Sequence, residues 1–189
     1  MARVRENIVM QGLSGTLGNQ LIIKTNKNGQ TIISAKPNFD SDREFTPAQL
    51  AQQQAFREAA AYGKMMKGEE IYITKANGGV KNPYNIAVAD WFNRPEILEV
   101  DLSGWVNGDG GTIRVRAQDD VKVEGVKITI MDESGAFLEE GEAQEVGALW
   151  WEYNTAQASA TNMRVTAAAR DLPGHVTERM EVKGHPRVA

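Results

Sequence analysis

The sequence predicts an α+β N-terminal segment of β-hairpins and two helices, followed by an all-β two-sheet sandwich, with the division at 94/95. Three observations predict this. Apolar residues recur at helical spacing behind Thr46-Pro47 and again behind Asn82-Pro83. Past Asn93-Arg94-Pro95 the apolar period falls to two, and seven short β-like runs follow at intervals of about ten residues. Ahead of the first helix, turn residues separate short runs rich in Ile, Val and Leu.

The opening runs, 7–13, 19–25 and 30–35, read as strands, with residues 14–18 connecting the first two. Asn28-Gly29 connects the last two, and both residues tolerate the positive φ that a tight turn needs. Three strands on one hairpin ribbon rarely fold alone, so this segment needs a covering surface.

Thr46-Pro47-Ala48-Gln49 combines a hydroxyl N-cap, proline at the first helical position and Gln three residues on. Ala51, Ala55, Ala59, Tyr62 and Met66 then form one stripe, and Gly63 and Gly68 are expected to weaken and end the helix. In the second helix Tyr84, Ala87, Val88, Trp91 and Phe92 share a face, and Trp91 and Phe92 are expected to be buried at the junction between the halves. Residues 69–76 between the helices are ambiguous, with a weak strand-like alternation at Ile71 and Ile73.

The β-like runs of the second half are 97–102, 112–117, 121–131, 136–142, 149–154, 163–170 and 176–182. Ile113-Arg-Val115-Arg-Ala117 and Val126-Lys-Ile128-Thr-Ile130 alternate cleanly, as half-buried antiparallel strands do.

Composition narrows the functions. The chain has 189 residues, 41% apolar and 24% charged, and no apolar run approaches the ~20 residues of a membrane helix. It holds no cysteine, so disulfides, thiolate catalysis and zinc-thiolate sites are excluded. Its two histidines, His175 and His185, leave no material for a multi-histidine metal site, and an enzyme is not expected. No signal-peptide pattern follows the first residues, so the expected localisation is cytoplasmic synthesis, with a place in a virion or tail-like particle. The net charge of −4 is unevenly spread. Through Arg94 twelve Lys/Arg stand against eight Asp/Glu, and from Pro95 nine stand against seventeen. The basic excess sits in residues 1–39.

In the second half, Asp119-Asp120, then Val126 to Ile130, Asp132-Glu-Ser-Gly135, Trp151-Glu-Tyr153 and Ala169-Arg-Asp171-Leu-Pro173-Gly174-His175 resemble bacterial immunoglobulin-like modules. The resemblance implies an immunoglobulin-like β-sandwich over 95–189, behind a β-hairpin and helix domain over 1–94. The first half, with Gly12-Leu-Ser-Gly15-Thr-Leu-Gly18-Asn19 followed by Thr46-Pro-Ala-Gln49, resembles a group of bacterial proteins, some phage-associated. That likeness implies a structural role and no activity.

Several constellations invite a chemical reading. The glycines of 12–18 lack the lysine and hydroxyl of a phosphate loop, and Asn19-Gln20-Leu21 continues a strand. Asp119, Asp120 and Asp171 are weak calcium candidates, since calcium takes six to eight oxygens and no Asp-x-Asp-x-Asp run is present; no metal and no cofactor is expected. Glu139, Glu140, Glu142 and Glu145 read as a solvated edge that discourages strand pairing. Of Trp150 and Trp151 only one can face outward, as a carbohydrate platform would require. Five bases and one aromatic in 1–39 are a poor nucleic-acid signal in a chain of pI 5.3.

The reading that absorbs these features is a structural, self-associating protein, a subunit of a filament, ring, virion or tail-like assembly. Its partner is itself, with no membrane and no nucleic acid. Arg3, Arg5, Ile8, Asn19, Leu21, Ile23, Ile32, Trp91 and Phe92 are the interface candidates. The alternative is a non-catalytic carbohydrate-binding module using sandwich loops and an exposed tryptophan.

Overall fold

In a computed structural model, the chain is described at residues 2–4 (backbone only), 13–26, 28–38, 44–77, 82–106 and 110–184. Among these residues three helices and three four-stranded antiparallel sheets are found. By compactness the chain divides into two units, 1–50 and 51–189. The division expected at 94/95 falls inside the second of these units. The helices share a buried cluster with Val121 and Leu172 of the all-β part, so the change of period marks a change of element inside one unit.

The first unit carries β1 (Ala2–Val4), β2 (Gly15–Leu17), β3 (Leu21–Thr25) and β4 (Thr31–Ala35), in the order β1-β4-β3-β2. The stretch expected as a connector over 14–18 is thus partly a strand. Gly18 and Asn19 both take φ of 56°, and the Gln20 amide donates to the Leu17 carbonyl, so a tight turn over residues 18–20 closes the β2–β3 hairpin, in which Leu17 pairs with Leu21. Asn26 organises the next turn, its side-chain oxygen accepting from the amides of Asn28 and Gln30, with Gly29 left-handed at φ 74°. The strand expected over 7–13 lies outside the described residues except for the exposed Leu13.

Helix α1 (Pro47–Met66) opens with the reciprocal cap its sequence announces. Thr46 Oγ1 accepts from the Gln49 amide at 3.3 Å, and Gln49 Oε1 accepts from the Thr46 amide at 3.0 Å. It runs through Gly63 and stops at Met66, two residues before Gly68. A Cβ at Gly63 would stand 2.6 Å from Val88 Cγ2, so the glycine lets another helix approach closely.

Residues 70–76, read as ambiguous, form helix α2 (Glu70–Ala76), and α3 (Pro83–Phe92) follows. Asn82 caps α3 by accepting from the Asn85 amide at 2.8 Å. Its buried face is Ile86, Ala87 and Asp90. Phe92 sits about half a turn from Ala87 and Asp90 at 3.6 residues per turn and is 41% exposed, against expectation; Trp91 is half-buried.

The remaining strands are β5 (Glu96–Asp101), β6 (Gly111–Gln118), β7 (Val123–Met131), β8 (Phe137–Glu142), β9 (Gln144–Gly147), β10 (Trp150–Thr155), β11 (Arg164–Asp171) and β12 (Val176–Val182). They form sheets ordered β5-β6-β10-β9 and β12-β11-β7-β8. One core joins them. Val100, Ile113, Val115 and Trp151 from the first sheet meet Val126, Ile128, Ile130, Val165 and Ala167 from the second, with Trp105 buried between β5 and β6 in sequence. Alternate residues of β6, β7 and β11 supply this core, as the period of two requires. The eighth strand, β9, has all four residues exposed and so left no alternation to read.

Candidate functional site

The sheet of the first unit sorts its side chains by register. Leu17 pairs with Leu21, Gly15 with Ile23, and Ile23 with Ile33, so Leu17, Leu21, Ile23 and Ile33 lie on one face. Ile23 is buried, but Leu17 is 60% and Leu21 38% exposed. The opposite face carries Thr16, Ile22, Lys24, the half-buried Ile32 and Ser34. Arg3 joins through the backbone of β1, opposite Ile32. Asn19 lies in the β2–β3 turn, where its side-chain oxygen accepts from Lys36 Nζ. Arg5 and Ile8 lie outside the described residues. Among the described residues β1 and β2 form the edges of this sheet.

The second unit holds a polar cluster that sequence reasoning missed. Tyr62 and Tyr72 share a hydrogen bond between their hydroxyls at 2.6 Å, and the Tyr72 hydroxyl donates to Asp90 Oδ2 at 2.6 Å. Tyr72 and Asp90 are fully buried. Asp90 Oδ1 is buried and accepts no hydrogen bond among the described residues, and the same holds for Asp119 Oδ1. Burial pushes the Asp90 carboxyl up to about 6; the Tyr72 hydroxyl opposes this, the charges of Asp119 and Asp171 add to it, and Lys75 opposes it. Burial and the bond to Asp90 likewise hold the Tyr72 phenol well above its ordinary range. A signal was present in the sequence. Asp90 interrupts the apolar stripe of α3 at i+3 from Ala87, a position that requires a buried partner.

Around this cluster the calcium candidates have other work. Asp119 Oδ2 accepts from the amides of Val121 and Lys122 at 2.9 and 3.0 Å, and Asp120 accepts from the Asn93 side chain. Asp171, fully buried, accepts from the His175 amide at 2.6 Å and stands 3.1 Å from its Nδ1. The Asp119 and Asp171 carboxylates cap turns, and among the described residues no group of three or more carboxylates or histidines could hold a metal ion. Trp91 closes the group, its ring 5.4 Å from that of Tyr62 and 5.2 Å from that of His175.

The tryptophan pair divides as strand geometry demands. Trp151 is in the core, and Trp150 lies on the outer face beneath the Arg114 guanidinium, 5.0 Å from its ring centre. Arg114 also pairs with Glu152 at 3.0 Å, which holds the guanidinium over one face of the Trp150 ring. The acidic run is likewise engaged. Glu139 accepts from Tyr153 and Thr155, each at 2.6 Å, and Glu140 pairs with Lys127 at 2.9 Å. Burial raises the Glu139 carboxyl, but the hydroxyls of Thr155 and Tyr153 outweigh it and leave the group below its ordinary value.

No family model and no curated protein matches the chain. Among solved structures, the crystal structure of an engineered protein is similar at 19% identity and a TM-score of 0.35, over 52% of this chain. The chain spans about a quarter of the length of that protein. No helix of the described residues is long and apolar enough to cross a membrane.

Proposed function

We propose that the chain is a structural, self-associating protein, a subunit of a filament, ring or virion-like assembly whose contacts are made by the N-terminal sheet. The observation that carries this is the apolar face of β2 and β3, where Leu17 and Leu21 stand at the surface beside the buried Ile23. A second copy that covered this face would remove those side chains from water, which stabilises a contact by roughly 25 cal/mol per Å² of apolar surface. Edge strands β1 and β2 add main-chain donors and acceptors to which a neighbour's strand could pair. The basic excess of residues 1–39 against the acidic residues after Pro95 favours head-to-tail contact between copies, which closes into rings or runs on as filaments.

We infer further that the second unit carries an immunoglobulin-like sandwich. Lettering β5 to β12 as A, B, C, C′, D, E, F and G turns the observed orders into A-B-E-D and G-F-C-C′, the division of strands in that fold. The core tryptophans sit differently from those of antibody domains, on strand E and in the A–B connection, and no cysteine pair joins the sheets.

Multi-angle light scattering of the intact chain and of Leu17→Lys/Leu21→Lys tests the reading. Polymers from the intact chain and their loss in the variant are the expected result. Polymers of equal size from both would move the interface off this face, and a monomeric intact chain would overturn the proposal.

A further inference from the structure

We propose that Asp90 is a proton-operated latch between the helices of the second unit and the end of its sandwich, closed when the carboxyl is neutral and loosened when it ionises. The geometry places the group where such a device must sit. Asp90 is 1% exposed, on α3, and titratable or charged groups of other elements act on it. Helix α1 contributes Tyr62, and α2 contributes Tyr72 and Lys75. The connection between β6 and β7 contributes Asp119, and the end of β11 contributes Asp171, with His175 bound to it. Lys75 donates to the Asp120 main-chain carbonyl and Asn93 to the Asp120 carboxylate, so the helices also grip that connection directly.

The two oxygens of Asp90 divide the work. Oδ2 accepts from Tyr72 in either protonation state. Oδ1 accepts nothing among the described residues, so it is the oxygen that takes a proton from solvent. Ionised, Asp90 is a buried anion with one unsatisfied oxygen and two further carboxylates, Asp119 and Asp171, close enough to repel it. Among the described residues the Tyr72 phenol and, more weakly, Lys75 oppose that repulsion. Protonation removes the repulsion and keeps the Tyr62–Tyr72–Asp90 chain intact.

The sign follows from the direction of the shift. The folded carboxyl titrates at about 6 against an ordinary value of 3.8. The stabilisation from proton uptake is therefore complete below the ordinary value and is lost as pH rises through about 6. Between pH 5 and pH 7.5 those two values correspond to about a tenfold fall in the closed-to-open ratio.

Amide hydrogen exchange on the intact chain, corrected for the intrinsic rate at each pH, reads this ratio in α2 and in the last turn of α3. Protection there should fall about tenfold from pH 5 to pH 7.5 in the native chain and change less than twofold in Asp90→Asn, which is neutral throughout. His175→Gln should keep the native fall. An equal fall in Asp90→Asn, or its loss in His175→Gln, would overturn the proposal. The native carboxyl can also be titrated by side-chain carbon NMR, which needs no variant to fold. A midpoint near 6 supports the latch, and one below about 4.5, close to a solvated carboxylate, overturns it.

Discussion

Gly63 shows how one residue can reverse a rule. Alanine in place of a mid-helix glycine ordinarily stabilises by about 1 kcal/mol through backbone propensity. Here the added carbon would lie 2.6 Å from Val88 Cγ2 and 3.1 Å from the Tyr84 ring. Gly63→Ala should therefore destabilise the second unit by about 1–3 kcal/mol, the cost of overpacking, as a urea melt would measure. Tyr72→Phe removes the Tyr72 hydroxyl, the one donor to Asp90 among the described residues, and should cost about 1–3 kcal/mol, the penalty for an orphaned buried acceptor. Neither residue was legible in its role. Gly63 read as a weak point of the helix because propensity is local, whereas the close approach of α3 is tertiary. Tyr72 sat in a stretch too short to declare its period, although Asp90, an acid inside an apolar stripe, was a visible mark. Asp119 and Asp171, by contrast, serve as turn caps, a use that paired and turn-flanking aspartates announce.

Elements were legible where one face is buried and the other wet. Strands β6 and β7 alternate cleanly because their inner residues fill the core, and α1 declares its start through Thr46 and Gln49. Strand β9 is exposed at every position, so hydrophobic pattern had nothing to record, and only pairing with β10 defines it. Packing between elements was not legible either. Strand β5 is the outer strand of its sheet, and side chains in and just after β12 serve carbonyls in and just after it: Arg179 donates to the Leu98 carbonyl at 2.7 Å, and Lys183 to that of Leu102 at 2.7 Å. Capping an edge in this way satisfies its acceptors and discourages pairing with other chains. Lys183→Met should thus destabilise the sandwich by about 1 kcal/mol in chemical denaturation, the ordinary net worth of such a bond. It should also speed exchange of the amides near Leu102 more than those of β7.

For the whole molecule, the change of period at residues 93–95 falls inside the compact unit 51–189. The helices and the all-β part share Val121, Leu172 and the Tyr62 and Tyr72 rings in one cluster, a long-range arrangement that no local pattern reveals. A chain of residues 51–189 should melt in a single transition. One of residues 94–189 should keep its β-type circular dichroism and melt at a lower temperature, because it loses the cover over Val121 and Leu172. Association by the first unit should be faster at low ionic strength, since exposed charges act only over about 8 Å at physiological salt. Negative-stain microscopy of the intact chain beside Leu17→Lys/Leu21→Lys tests the central claim most directly. Regular polymers or closed rings from the intact chain, and dispersed single particles from the variant, are the predicted result. Dispersed single particles from the intact chain, at concentrations where light scattering is sensitive to dimers, would contradict it.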